Sequence, residues 1–288
     1  MKYALILEFK GQYSILMMCR ALQVSRSGFY SWYSRPRSSQ DQRREKMEHL
    51  IVDTFESFRA RYGAPRLADE ITALGFPCST NYVASIMKSR GIRARNGKGF
   101  NYSRHGLTML NVSENLLWRD FSTSKPNEKW TTDITYIWVK DKWLYLATVM
   151  DLYSRKIVGW TLDHSMTEKL VIEALSMAYH RRKPGEGLVI HSDRGTQYRA
   201  QKYIDLMESK GSRPSMSRKG NCWDNAPMES FFSRLKVELI YAEQYTTVSE
   251  ASSGIFEYIE IFYNRKRRHS ANDNVSPVEF EEMAANAA

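Results

Sequence analysis

The sequence predicts an α/β layer fold, a mixed sheet with helices on its faces, preceded by an all-α region of short helices. Three observations carry this. Apolar residues recur at helical spacing through the first third of the chain, and from Lys129 the pattern changes to strand-like runs rich in Val, Ile, Thr and aromatics. The charge follows the same division. Residues 1–124 hold 19 Lys and Arg against 10 Asp and Glu, while residues 125–288 hold 23 against 22, so nearly all of the net charge of +10 lies in the helical part. A basic arm joined to a near-neutral core suits a polyanionic partner that one part grips and the other acts on.

In SILMMCRALQVSRSGFYSWY, residues 14–33, Ile15, Met18, Cys19 and Leu22 form one helical stripe. A break follows at residues 23–25. Ser25 is placed to cap a second helix, packed by Phe29, Tyr30 and Trp32. This is a helix-turn-helix pattern, and Arg26 opens the helix that would meet DNA. The polar joint RPRSSQDQRRE leads to a helix through Ile51 and Phe58, then a basic turn, RARYGAPR, containing Arg66. Two more helices are marked by Leu67, Ile71 and Leu74 and by Tyr82, Val83, Ile86 and Met87, the second with Ser79 as its cap. RGIRARNGKGFNYSRHG, which includes Arg93 and Arg95, reads as a flexible basic linker able to track phosphates.

WTTDITYIWV, WLYLATVMD and RKIVGWTLD read as three meandering strands separated by polar turns. An amphipathic helix over residues 167–182 follows, then the buried strand LVIHSD, a helix over residues 200–210 and a short strand over residues 214–217. The order βββαβαβ, with further helices behind it, is what predicts the layered mixed sheet.

A chain of 288 residues with 42% hydrophobic content can form one sizeable core and a small appended region. Cys19, Cys78 and Cys222 lie far apart, without zinc-site spacing, and suit a reducing compartment. The start MKYALILEFK lacks a signal-peptide core, and no apolar run approaches the roughly 18 residues of a membrane span. The expected location is cytoplasmic, with no membrane partner.

Three carboxylates stand out. Asp133 interrupts a strand-forming run, where an acid gains nothing by packing. Asp193 closes LVIH at the carboxyl end of a strand, the usual place for ligand-binding groups in α/β sheets. Glu229 belongs to DNAPMESFFSRLKVEL, whose Pro227 is tolerated only in a first helical turn, so the helix starts near Asn225. At 100° per residue Asn225, Glu229 and Lys236 share one face. Two strand acids and one helix acid, all hard oxygen donors, suit Mg²⁺ or Mn²⁺ shared with substrate oxygens. Two such ions could activate a water or a 3′-hydroxyl and stabilise a leaving oxygen, which is phosphoryl transfer on nucleic acid.

WTTDITYI, HSDRGTQY and DNAPMESFFSRLK resemble the three catalytic blocks of the DDE transposase and retroviral-integrase superfamily, and the 35 residues between Asp193 and Glu229 match its spacing. YNRKRRHS with SPVEFE is similar to the C-terminal block of insertion-sequence transposases of the OrfB type, and RYGAPRL resembles their helix-turn-helix module. The resemblance implies an RNase H-like core in which Asp133, Asp193 and Glu229 bind two Mg²⁺ or Mn²⁺ ions and Lys236 contacts the element end. Asn225, Arg26, Arg66, Arg93 and Arg95 are the further DNA contacts expected. It also implies double-stranded DNA as substrate, a homo-oligomer on that DNA, association with the nucleoid, and an upstream-frame partner of the OrfA type. On this reading residues 1–36 form a helix-turn-helix-like segment, 37–98 a second helix-turn-helix module, 99–124 a basic linker, and 125–284 the catalytic core with C-terminal helices.

Two other classes compete. His191 and Arg194 fit an H-x-x-R fragment of tyrosine recombinases, a reading that leaves the spaced acids unexplained. A helix-turn-helix regulator, or an inactive transposase copy, would share the N-terminal half. A regulator has no use for the acid triplet with its aligned lysine. Asp151 beside Arg155 reads as a turn or ion-pair residue and stays outside the site.

Overall fold

The computed structural model describes residues 2–36, 38–95, 112–218 and 222–287. The chain divides into two units, Met1–Arg93 and Ala94–Ala288. The first half of the basic linker expected over residues 99–124, up to residue 111, lies outside the described residues.

In the first unit α1 (Lys2–Glu8), α2 (Ile15–Ala21) and α3 (Arg26–Tyr33) enclose a small core of Ile6, Cys19 and Phe29. Ser14 and Ser25 cap α2 and α3 by accepting from the Met17 and Gly28 amides at 3.3 and 2.9 Å. The helical pair read from the sequence is present, with α1 as an unannounced third wall. Tyr30 and Trp32, expected to pack α3, stay 42% and 36% exposed and meet Phe29 only at ring distance. An eight-residue helix offers a core this small one side chain, and Phe29 takes the place.

The same unit holds α4 (Ser39–Ser57), α5 (Ala64–Ala73) and α6 (Thr80–Ser89). They bury Ile51 and Phe55, Leu67 and Ile71, and Val83 and Ile86 respectively. Pro65 occupies the first turn of α5, where its missing N–H costs nothing. Ser79 caps α6 by accepting from the Tyr82 amide at 3.2 Å. Leu74 falls just past α5 as its C-cap and is 58% exposed, so the expected stripe stops at Ile71.

The second unit is built on a five-stranded sheet of order β3-β2-β1-β4-β5. Its strands are β1 (Lys129–Val139), β2 (Lys142–Asp151), β3 (Ile157–Asp163), β4 (Val189–Ser192) and β5 (Arg213–Met216). β1, β2 and β3 are antiparallel neighbours, while β4 is parallel to both β1 and β5. α7 (Glu168–Arg182) connects β3 to β4, and α8 (Gln201–Ser209) connects β4 to β5. Trp130, Val149, Val158, Leu170, Ala174 and Ile190 form the centre of the core beneath α7. Gly159 permits that packing, because a Cβ there would lie 2.2 Å from the Ala174 carbonyl. The expected mixed sheet with flanking helices is borne out.

α9 (Ala226–Leu235) runs into a π-helical turn, Lys236–Ile240, and α10 (Val248–Phe256) into a second, Glu257–Tyr263. Glu238 of the first π turn accepts from Arg267 at 2.7 Å and from the Tyr258 hydroxyl of the second at 2.8 Å. α11 (Pro277–Ala287) is tied down through Glu281, which receives Lys156 and Arg182 at 2.9 Å each. Among the described residues no helix is long and apolar enough to cross a membrane.

Candidate active site

The last ladder pair of the parallel strands β1 and β4 is Thr131 with His191. Asp133 and Asp193 each lie two residues beyond it, Asp193 directly after β4 ends. Positions two apart share a strand face, so this register sets the two acids side by side where the strands part. Asp133 Oδ1 accepts from the Ile134 amide at 2.8 Å, and Asp193 Oδ1 from the Gly195 amide at 2.8 Å. A Cβ on Gly195 would lie 2.9 Å from that same Oδ1, so the turn needs glycine for close approach.

Glu229 stands in the first turn of α9, which Asn225 opens and Pro227 starts. A carboxylate is favoured there by the free amides of the helix start. Asn225, expected to touch DNA, is 5% exposed. The Thr131 hydroxyl donates to its Oδ1, and its Nδ2 donates to the Thr132 carbonyl at 3.3 Å. Its amide thus ties α9 to the strand that carries Asp133. Burial, not charge, decides its place.

Asp224, one residue earlier, is fully buried and was not singled out from the sequence. It accepts from Arg218 Nη2 at 2.8 Å, Arg119 Nε at 3.0 Å and Asn115 Nδ2 at 3.0 Å. The Arg218 hydrogen bonds hold its carboxyl well below the usual carboxylate range. Arg119 and Asn115 lie more than a hundred positions away in sequence, so no local pattern could announce this clamp on the entrance of α9.

The three acids share a field. Loss of water raises Asp133 well above the usual carboxylate range, and the charges of Asp193 and Glu229 push it the same way. Asp193 reaches the surface, yet the protein around it still raises its carboxyl, against the Gly195 hydrogen bond and the Arg199 charge. Lys236 is 9% exposed; burial lowers its ammonium from the ordinary lysine value, while the Asp133 charge pulls it back up. Its Nζ lies 4.9 Å from the centre of the Tyr136 ring. The buried Tyr198 hydroxyl bonds the Thr132 hydroxyl at 3.2 Å, and burial beside Asp133 keeps it protonated.

His191 has a structural employment. Its ring nitrogens bond Ser215 at 2.8 Å and Ser217 at 3.0 Å, and burial lowers it to about 4, so it is neutral at physiological pH. Asp151 is buried in an ion pair as expected, but with Arg182 at 2.9 Å as its partner. The two meet across β2 and α7, which sequence adjacency to Arg155 could not show.

The structure therefore gathers Asp133, Asp193, Glu229, Lys236 and Asn225. Arg95 is drawn into the same unit by the Glu238 carbonyl at 2.9 Å and the Glu243 carboxylate at 3.1 Å. Arg26, Arg66 and Arg93 belong to the first unit. Arg26 and Arg93 are exposed, and Arg26 and Arg66 lie over Tyr30 and Tyr62 at 5.6 and 5.7 Å.

The integrase core domain family matches residues 123–222 and again 229–284, and a helix-turn-helix-like domain family matches residues 41–99. Transposase InsF of insertion sequence IS3A from Escherichia coli (strain K12) is 43% identical over 286 residues, 98% of both chains. The chain belongs to the DDE transposases of the IS3 family. A second relative of this transposase, an uncharacterized 31 kDa protein of insertion element IS600 from Shigella sonnei, is 40% identical over 92% of the chain and 97% of its own length. Among solved structures, the HTLV-2 integrase catalytic core domain in complex with magnesium covers 55% of the transposase and 97% of itself, at 15% identity and a TM-score of 0.42.

Proposed function

We propose that this transposase cleaves at the 3′ ends of its insertion sequence and joins each released 3′-hydroxyl to a target phosphodiester, with Asp133, Asp193 and Glu229 as its catalytic carboxylates. The observation that carries the reading is the parallel register that leaves Asp133 and Asp193 each two residues past its last pair, while Glu229 adds its charge to the same place. An aspartate raised by burial and by the charges of two other carboxylates is a cost to the folded protein, and a cation offsets it. Among the described residues no three acids, histidines or cysteines converge into a metal-holding group. The hard oxygen set still fits Mg²⁺ or Mn²⁺, provided that substrate oxygens complete the coordination. When bound, such ions supply Lewis acidity toward a phosphodiester.

The residues of the chain do the positioning. Gly195 holds the Asp193 carboxylate by its amide, Asn225 fixes the start of α9 to β1, and Lys236 offers a cation beside Asp133 for a DNA phosphate. Tyr198 and Thr132 keep the floor beneath Asp133 neutral and dry. The exposed basic residues of the first unit, Arg26 and Arg93 among them, would hold duplex DNA by its phosphates. Assembly of several copies on two element ends, and help from an upstream-frame partner, belong to the same reading.

The test is strand joining of a labelled element-end duplex into plasmid with Mg²⁺, with Mn²⁺ and with EDTA, comparing the native chain with Asp193→Asn and Glu229→Gln. Joining should need metal and disappear in both variants while DNA binding persists. Joining that survives in EDTA, or in either variant, overturns the assignment.

A further inference from the structure

Before the chain enters β1, residues 114–120 form a strap along β5, the edge strand of the sheet. The Met216 amide of β5 donates to the Glu114 carbonyl at 3.2 Å, and the Ser215 hydroxyl accepts from the Leu116 amide at 2.8 Å. The same hydroxyl meets His191 Nδ1 at 2.8 Å, so the strap is tied to the sheet face that His191 shares with the acids two residues on. Leu117 is buried, and Asn115 Oδ1 accepts from the Leu117 and Trp118 amides at 3.1 and 3.0 Å. Trp118 and Arg119 then take φ of 47° and 65°. That left-handed backbone is unusual for residues with side chains and persists only where surrounding contacts enforce it.

The turn delivers two side chains to one buried carboxylate. Asn115 Nδ2 donates to Asp224 Oδ2 and Arg119 Nε to Oδ1, at 3.0 Å each, while Arg218 donates to both oxygens. Asp224 belongs to the single helical turn Cys222–Asn225, which runs directly into α9, and Glu229 lies five residues on in the first turn of that helix. Asn225, the next residue, is tied to Thr131 and Thr132, the two residues before Asp133. Neighbouring side chains leave a helical turn about 100–120° apart, so Asp224 and Asn225 are held from different directions. One anchor leaves a helix start free to pivot. Two anchors in different directions fix its axis, and with it the place of the Glu229 carboxylate.

We infer that Asn115 and Arg119 are positioning residues for Glu229, acting through Asp224, and that the catalytic unit of this transposase therefore begins at the strap, ahead of the expected boundary at residue 125. The inference rests on the proposed function in giving Glu229 a catalytic role. A strap that only covered the edge of β5 would need the Glu114 and Leu116 contacts and a buried Leu117. It would have no need to carry an amide and a guanidinium to the turn before α9. Loss of the two side chains should lower the rate of joining more than the affinity for DNA, because a small displacement of a reacting group is costly while most of the DNA contacts remain.

The test uses the full chain, without metal or DNA for amide hydrogen exchange, and with Mg²⁺ and an element-end duplex for single-turnover joining. In Asn115→Ala/Arg119→Ala the amides of residues 224–230 should exchange about tenfold faster, while those of the β1–β2 hairpin keep native rates. Joining at saturating duplex should fall on the order of tenfold, with duplex affinity within about twofold of native. Arg119→Lys, which keeps a donor for Asp224, should lose much less on both readouts than Arg119→Ala. Should the double variant not fold, these two single variants at a half-exposed position are read in the same way. Exchange that rises alike across the sheet makes the strap a structural cover and overturns the inference. So does unchanged joining, and so does affinity that falls in step with joining, which would make Arg119 a DNA contact. Joining that survives Glu229→Gln sinks the proposed function instead, and exchange at the start of α9 still decides whether the strap holds that helix.

Discussion

Asp133 and Asp193 occupy equivalent positions on neighbouring parallel strands, each two residues beyond the Thr131–His191 pair. The sheet thus forces two carboxylates together at the point where its ladder stops supporting them. Burial, and after it the charge of Asp193, raises Asp133 in the folded protein, so its ionised form opposes folding at neutral pH. Asp193→Asn should therefore abolish strand joining while stabilising the metal-free protein by on the order of 1 kcal/mol. Thermal unfolding in EDTA reads this, and a lower melting temperature for the variant contradicts it.

Asn225→Ala removes the acceptor of the buried Thr131 hydroxyl and the donor to the Thr132 carbonyl. The expected loss is about 1–3 kcal/mol of stability. Because the lost bonds orient α9 toward β1, joining should fall further than DNA binding does. Urea unfolding beside filter binding separates the two, and equal losses in binding and joining would make Asn225 a DNA contact after all.

At Gly195 the obstacle is steric. An alanine Cβ would stand 2.9 Å from Asp193 Oδ1 and 3.1 Å from Gln197 Oε1. Gly195→Ala should leave the fold nearly unchanged and reduce joining at least tenfold, since small misplacements of a catalytic group are costly. Activity within twofold of native shows that the turn tolerates the methyl group.

The Asp224 clamp predicts an acid-side dependence. Its folded pKa is depressed, chiefly by the Arg218 hydrogen bonds, so its contribution is present above the unfolded value near 3.8 and lost as pH falls through the lower folded value. Solvent weakens the clamp, because Arg119 and Arg218 are 47% and 42% exposed. Asp224→Asn should cost about 1–2 kcal/mol at pH 7 and flatten the loss of stability below pH 4. Unfolding midpoints at pH 7, 4 and 3 check both statements.

Glu238 and Arg267 form an ion pair buried on both sides, at 3% and 4% exposure. Arg267→Met alone strands a buried carboxylate and should cost about 3–5 kcal/mol, whereas adding Glu238→Gln should recover most of that loss. Chemical denaturation of the single and double variants measures the coupling. Additive losses would show that the two side chains do not couple, against the ion pair.

Much of the fold was legible because periodicity survives in one dimension. Ser25 and Ser79 announced their helices by cap chemistry that acts over three residues, and the three meandering strands announced themselves by alternation. Tyr30, Trp32 and Leu74 were misplaced because helical spacing gives a face but not the extent of the core opposite it. Helix α1 left no signal because it is only seven residues long and buries one side chain, Ile6, with Tyr3 and Leu7 packed partly against the same core. Asn225 looked like a surface group on the Glu229 face, and only the arrival of β1 beside α9 turned it inward.

The sequence alone determined the residue types, their strand or helix setting, and the spacing of Asp133, Asp193 and Glu229, since these depend on local preference and on patterns of a few residues. It also determined where the basic charge lies. The tertiary structure alone decided that β1 and β4 are parallel neighbours in the register that brings the two aspartates to one end of the sheet, and that Arg119 and Asn115 close on Asp224. These are contacts between segments far apart in sequence. Their free energy depends on which surfaces pack together and not on the identity of any one stretch of chain.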